Sequence, residues 1–185
     1  MKPAPWELDI LYVSVDPAQR TSAFAYQGYD EEGRRHRGAF HISDIRFAAI
    51  AQDHLEALPT FLKFKQIVVA VEYPTWNAGA SQVVRGAANT FIRLIKDIYA
   101  GRKVVVKKVD PNEWQRTFCY KDRSKKQTTK EYSLFLALKI YDWKVTTHDE
   151  ADAAMILEHI RYIPPELLTI PKRPKQTKKK PNRNR

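Results

Sequence analysis

Four acidic residues stand where an apolar run ends or a helix begins. Asp16 closes ILYVSVD, Glu72 closes IVVAVE, and Asp149 and Asp152 lie three residues apart in THDEADAAMILEH. Each has a plain role when taken alone. Asp16 precedes Pro17 and can set a turn. Glu72 can end a strand in solvent, and Asp149 and Asp152 can cap a helix, whose N-terminus favours carboxylates by fractions of a kcal/mol. Taken together they read differently. Asp16 and Glu72 follow apolar segments where water is scarce, and open α/β sheets gather functional groups at the C-terminal ends of their strands. Three separate segments can thereby deliver four carboxylates to one place. Like charges brought together repel unless cations neutralise them, so convergence predicts hard metal ions with oxygen ligands. The matching chemistry is a pair of Mg²⁺ ions about 3.5–4 Å apart that activate water for in-line attack on a phosphodiester.

The segments that must position these acids follow from periodicity and punctuation. Strands are expected over residues 10–15, 22–29, 35–42, 66–71 and 103–109, with a hairpin turn at Asp30-Glu31-Glu32-Gly33. Helices are expected over 43–63, capped by Ser43, and over 80–99, closed by Gly101. Asp110-Pro111-Asn112-Glu113 starts another helix, with Asp at the N-cap, Pro at the first position and Glu at the capping-box position. Thr128 or Thr129 caps a helix to about residue 141, and a last helix spans about 149–162 before Pro164-Pro165. An antiparallel meander followed by β-α-β units gives a mixed five-stranded α/β sheet with helices on both faces.

Composition bounds the rest. The chain has 185 residues with 43% hydrophobic side chains, enough for one domain with a real core. Its longest aliphatic run, residues 67–71, is too short to span a bilayer, and its start lacks an apolar signal region. No membrane partner or secretion signal is therefore expected. One cysteine, Cys119, excludes a disulfide framework and a cysteine zinc site, which points to a reducing, cytosolic or nuclear-like setting. The net charge is +11, but residues 171–185 carry eight bases and no acid, so the first 170 residues hold only +3. The chain divides into a folded domain over 1–170 and a basic tail over 171–185 that is expected to be disordered and to meet phosphates. Six glycines without a paired phosphate-loop motif argue against an ATPase of the sugar-kinase or actin type.

The strand-Asp in ILYVSVDPAQRTS, the strand-Glu in IVVAVEYPTW and the helix start THDEADAAMILEH together resemble the RuvC family of Holliday-junction resolvases. KKVDPNEWQRTF followed by a lysine-rich loop resembles the phage-type members. The resemblance covers roughly residues 8–160. It implies a ribonuclease-H-like fold and a metal-dependent endonuclease that resolves branched DNA by paired nicks. It implies that Asp16, Glu72, Asp149 and Asp152 are both the catalytic set and the ligands of two Mg²⁺ ions, with Mn²⁺ as a substitute. His148 then falls where a histidine can position metal or water. The family usually has Gly two residues after its first Asp, and this chain has Ala18. The alternatives are another ribonuclease-H-like nuclease, cutting RNA–DNA hybrids or transposon ends, and a non-catalytic nucleic-acid-binding module.

DNA contacts are expected from Lys121, Arg123, Lys125 and Lys126 in the basic loop, from Lys130 after it, and from Lys107 on the last strand. Lys107 and Lys108 cannot share a face. Tyr73 and Trp76, just after Glu72, are candidates to stack on an unpaired base. The helix over 80–99 has an apolar arc (Val83, Val84, Ala87, Ala88, Phe91, Ile92, Ile95) wider than one core contact needs. A C2 homodimer through it would present two sites to the pseudo-two-fold four-way junction.

Overall fold

A computed structural model describes residues 5–18, 21–42, 47–75, 79–118, 120, 124, 126–161 and 163. After a 3₁₀ turn (Pro5–Asp9) come strands β1 (Ile10–Asp16), β2 (Ser22–Tyr29) and β3 (Arg35–Ile42). Helix α1 (Phe47–Ala57), strand β4 (Gln66–Glu72), helix α2 (Gly79–Ile98) and strand β5 (Lys103–Val109) follow. Among the described residues three further helices follow: α3 (Pro111–Thr117), α4 (Thr129–Phe135) and α5 (His148–Arg161). None of the helices among the described residues is long and apolar enough to cross a membrane.

The sheet order is β3-β2-β1-β4-β5. β1, β2 and β3 pair antiparallel, while β4 and β5 run parallel to β1. β1 and β4 sit at the centre and are buried on both faces, which is why they read as unbroken apolar runs rather than as alternation. Strand parity sorts the core into two layers. Leu11, Val13, Val15, Ile67, Val69 and Val71 pack under α1 and α2. Ile10, Tyr12, Val68 and Ala70 pack under α3, α4 and α5 on the opposite face. The expected mixed sheet with helices on both faces is the fold observed.

Local differences have local causes. The helix expected over 43–63 is α1 alone, followed by a 3₁₀ turn at Leu58–Thr60, because Pro59 lacks the N–H a continuing helix needs. The proposed Ser43 cap lies outside the described residues. β1 extends to include Asp16, which pairs with Ala23. Asp110 does cap α3, accepting from the Asn112 N–H at 2.9 Å. Glu113 lies 3.5 Å from Lys107 Nζ. Thr128 caps α4 in a complete capping box with Glu131. α4 does not continue regularly to residue 141. Its last turn, Leu136–Ile140, widens to π-helix, and Asp142 takes a left-handed φ of 54° that an Asp tolerates better than most residues. Gly101 adopts φ 89° just past α2, as a helix-terminating glycine should.

One buried bond ties the two layers of the site together. The Ser14 hydroxyl on β1 donates to the Ala153 carbonyl of α5 at 2.6 Å, with Ser14 fully buried. It pins the first turns of α5 over the C-terminal end of β1. Ser14→Ala should therefore cost about 0.5–1.5 kcal/mol in urea unfolding, the net worth of one intramolecular hydrogen bond, since the Ala153 carbonyl lies within α5 and keeps its helical bond. A loss below a few tenths of a kcal/mol would refute the tether.

Candidate active site

The register of the sheet brings the first two acids side by side. Val15 pairs with Val71, so Asp16 and Glu72 are the next residues on adjacent parallel strands. They share parity with Tyr12 and Ala70 and so face the α3–α5 layer. Asp16 also pairs with Ala23, which pairs with His41. His41, Ala23, Asp16 and Glu72 thus lie along one line across the sheet, at the end where α5 begins. α5 starts at His148 because the Glu150 carboxylate folds back to accept from the Thr146 and Thr147 N–H groups at 2.6 and 3.1 Å, and Glu150 is itself capped by the Thr147 hydroxyl. That start sets Asp149 and Asp152 over the strand ends.

The electrostatics register this convergence. Burial holds Asp16 well above the usual carboxylate range, and Glu72, Asp152 and Asp149 push it further in the same direction against Lys130. Glu72 is pushed up to about 7, first by burial and then by Asp152 and Asp110, although the Trp114 indole opposes the shift. Asp152 is pushed up to about 6 by burial, with Asp149 adding and Ser133, Lys130 and His148 opposing. Three carboxyls in one corner thus resist ionising, chiefly because each is buried and secondarily because they repel one another.

Glu72, Asp152 and Asp149 each rest on neighbours of their own. Glu72 Oε2 accepts from Trp114 Nε1 at 2.8 Å. Asp152 accepts a short hydrogen bond from the Ser133 hydroxyl. Asp149 lies 3.3 Å from Lys130 Nζ and 3.3 Å from His41 Nε2. Among the described residues no three His, Cys, Asp or Glu side chains are already gathered as a metal cage. The acids are close enough to perturb one another, and Glu72, Asp152 and Asp149 are bonded to different side chains. Their chemistry nevertheless fits a divalent cation: hard oxygen donors, partly desolvated, with unneutralised charge.

The other expected residues fall variously. Lys130 points its ammonium at Asp149, and Lys126 is exposed nearby in sequence. Lys107 is mostly covered and lies against Glu113 rather than in solvent. Tyr73 presents its ring face to Lys108, whose ammonium sits 3.9 Å from the ring centroid, so that face is taken. His148 is held by its Nδ1, 3.1 Å from the Lys130 carbonyl. Trp76, Lys121, Arg123 and Lys125, together with Cys119 and the basic tail, lie outside the described residues. Four partners escaped the sequence reading: His41, Trp114, Ser133 and Tyr120. Only Trp114, next to an expected helix start, carried any signal, and its type suggests core as readily as site. A cleft of about 530 Å³ lies at the far end of the sheet around Asp30, Arg34, Phe61 and Arg102 and holds none of these acids.

The sequence matches no family model and no curated protein. The fold does match solved structures. RuvC of Thermus thermophilus aligns with a TM-score of 0.52 at 13% identity, over 80% of this chain and 92% of that one. T. thermophilus RuvC in complex with a Holliday junction substrate aligns with 0.50 at 13% identity, over 81% and 91%. The yeast mitochondrial Holliday junction resolvase aligns with 0.45 at 10% identity, over 87% and 79%. At such identities the likeness is one of fold. This chain has the mixed-sheet architecture found in RuvC.

Proposed function

We propose that the chain is a metal-dependent, structure-specific DNA endonuclease that nicks four-way junctions and similar branched DNA. The observation that carries this reading is the joint placement of Asp16, Glu72, Asp149 and Asp152 at one end of β1, β4 and α5, on a sheet of RuvC topology. That one solved neighbour is a RuvC bound to a Holliday junction substrate supports the choice of DNA over other phosphodiesters.

In this reading the four carboxylates hold two Mg²⁺ ions, for which Mn²⁺ can substitute. Such ions supply Lewis-acid stabilisation of phosphate oxygens and a lowered pKa for the attacking water. The protein's part is placement and charge. β1 and β4 fix Asp16 and Glu72 through their shared register, and the Ser14–Ala153 bond fixes the acids of α5 above them. Lys130, mostly exposed at the rim, offers a cation to a backbone phosphate as well as to Asp149. Lys121, Arg123, Lys125, Lys126 and the tail after residue 170 add phosphate contacts that strengthen binding without reading sequence. His148, fixed by its Nδ1, positions water or metal at the rim. Lys107, Tyr73 and Trp76 remain candidate DNA contacts, the first two only if DNA displaces Glu113 and Lys108.

Pairing of nicks calls for two sites related by two-fold symmetry. α2 offers the surface: Ala88, Phe91 and Ile95 are buried in the core, whereas Val83 is 43% exposed. A homodimer through the outer side of α2 fits that division.

The test is a panel of labelled substrates (four-way junction, flap, linear duplex and RNA–DNA hybrid) incubated with Mg²⁺ or with EDTA. Junction nicking at symmetric positions, dependent on Mg²⁺ and absent on duplex, is the expected result. Preferential cutting of the hybrid would transfer the reading to another ribonuclease-H-like nuclease. Binding without any cutting, in Mg²⁺ or Mn²⁺, would leave a nucleic-acid-binding module.

A further inference from the structure

We propose that Trp114 and Ser133, joined through Tyr120, are positioning residues that fix Glu72 and Asp152 for a shared divalent cation. The inference rests on the metal-site reading above and adds the residues that orient its ligands. Trp114 is 1% exposed and its indole N–H, a donor only, is given to Glu72 Oε2 at 2.8 Å. Ser133 is fully buried and its hydroxyl bonds Asp152 Oδ1. The same oxygen lies 3.2 Å from the Thr129 carbonyl, but a carboxylate is the stronger acceptor for its one hydrogen. With that hydrogen committed, Tyr120 Oη, 2.6 Å away, donates to Ser133. Burial and the nearby acids raise the Tyr120 pKa, so this phenol stays protonated and able to donate.

The two anchors are one unit. The Trp114 and Tyr120 rings meet edge to face at 5.2 Å and 85°, and Tyr120 meets Tyr132 at 5.0 Å and 88°. Trp114 comes from α3, Ser133 and Tyr132 from α4, and Tyr120 from the connection between them. A single aromatic cluster therefore reaches a carboxylate on β4 and another on α5. It holds one oxygen of each and leaves the other for a cation. The Ser133 bond is not needed simply to bury a hydroxyl, since the Thr129 carbonyl lies 3.2 Å from the same oxygen. Holding ligating carboxylates through a second layer of hydrogen bonds is how proteins fix metal geometry before the metal arrives.

The experiment compares the full-length wild type with Trp114→Phe, Ser133→Ala and Ser133→Thr. Mn²⁺ binding is followed by calorimetry without DNA, and junction binding by mobility shift in EDTA. Trp114→Phe and Ser133→Ala should each weaken Mn²⁺ by roughly 10- to 100-fold, with junction affinity in EDTA unchanged. Ser133→Thr, which keeps the hydroxyl, should recover affinity relative to Ser133→Ala. Because Tyr120 links the anchors, the double variant should lose less than the product of the two single losses. Mn²⁺ affinities equal to wild type in both folded single variants overturn the proposal. If Trp114→Phe does not fold, Ser133→Ala against Ser133→Thr decides it. A wild type that binds Mn²⁺, with variants that weaken it, yet cuts no branched DNA would sustain the positioning role and sink the nuclease reading. A wild type that cuts junctions while both variants bind Mn²⁺ normally would do the reverse.

Discussion

Asp16→Asn is expected to lower junction nicking by on the order of 10³-fold or more, while raising the melting temperature of the metal-free protein at pH 8. The two effects share a cause. Asp16 sits between strands that are buried on both faces, with Glu72, Asp152 and Asp149 within electrostatic reach. Without a cation its charge has no adequate compensation, so the folded state is penalised for every ionised Asp16. The amide keeps the shape and removes the charge. That relieves the repulsion and also removes the donor the cation needs. Added Mg²⁺ should stabilise the wild type, since a ligand that binds only the native state adds stability by mass action, and should stabilise the variant much less. Single-turnover cleavage and thermal melts in EDTA and in Mg²⁺ measure both halves. Asp152→Asn should follow the same pattern, with its amide facing Ser133. Cleavage at the wild-type rate in either variant would remove these acids from the reaction. A lower melting point for Asp16→Asn in EDTA would show that the acids are not under mutual strain.

Metal-free protein should lose stability as pH rises from about 4 to about 7, and that slope should flatten when Mg²⁺ is present. The sign follows from proton counts. Carboxyls with raised native pKa values keep protons that the unfolded chain gives up, so the native state binds more protons and stability falls with rising pH. Glu72 at about 7 and Asp152 at about 6 place most of the change between pH 4 and 7, with Asp16 shifted in the same direction. Buried Glu158, also raised, adds to the slope but not to its metal dependence, because its partners are Trp143 and Arg161. Groups of opposite sign do not mask the effect. Asp30, Asp110 and Glu131 are held below their usual range by hydrogen bonds and give up their contributions only under more acidic conditions. Melting temperatures across pH 4.5–8, in EDTA and in Mg²⁺, give the two slopes. A metal-free profile that rises through this window would contradict the strained-cluster reading.

Much of this architecture was readable from residue patterns. The unbroken apolar runs of β1 and β4 announced central strands because such strands are buried twice over. Pro, Gly and capping residues marked most helix ends, since their effects are local to the backbone. The acids at 16 and 72 stood out because charge directly after an apolar strand needs a reason, and those at 149 and 152 because of their three-residue spacing at a helix start. The Pro59 break in α1 was present in the sequence but was passed over in favour of the longer periodicity. The π-helical turn after Phe135 left no mark; in it the Ala137 carbonyl accepts from the Trp143 N–H at 2.8 Å, a contact with the segment that follows the helix.

What surrounds the acids belongs to the tertiary structure alone. Trp114, Ser133, Tyr120 and His41 are a core aromatic, a helical serine, a loop tyrosine and an edge-strand histidine, none distinctive by type. They acquire meaning because α3, α4 and β3, remote in sequence, come within 2.6–3.3 Å of their partners. The same holds for Lys107 and Tyr73, whose side chains were free in a linear reading and are engaged by Glu113 and Lys108 in the fold. By itself the sequence determined the order of elements, the four acids and the separation of a basic tail from a nearly balanced domain. Those depend on local backbone preference, burial periodicity and composition. Which neighbour holds Glu72, Asp149 and Asp152, and which basic and aromatic side chains are already engaged, was decided by side chains from different elements competing for the same partners, and that competition exists only once the chain has folded.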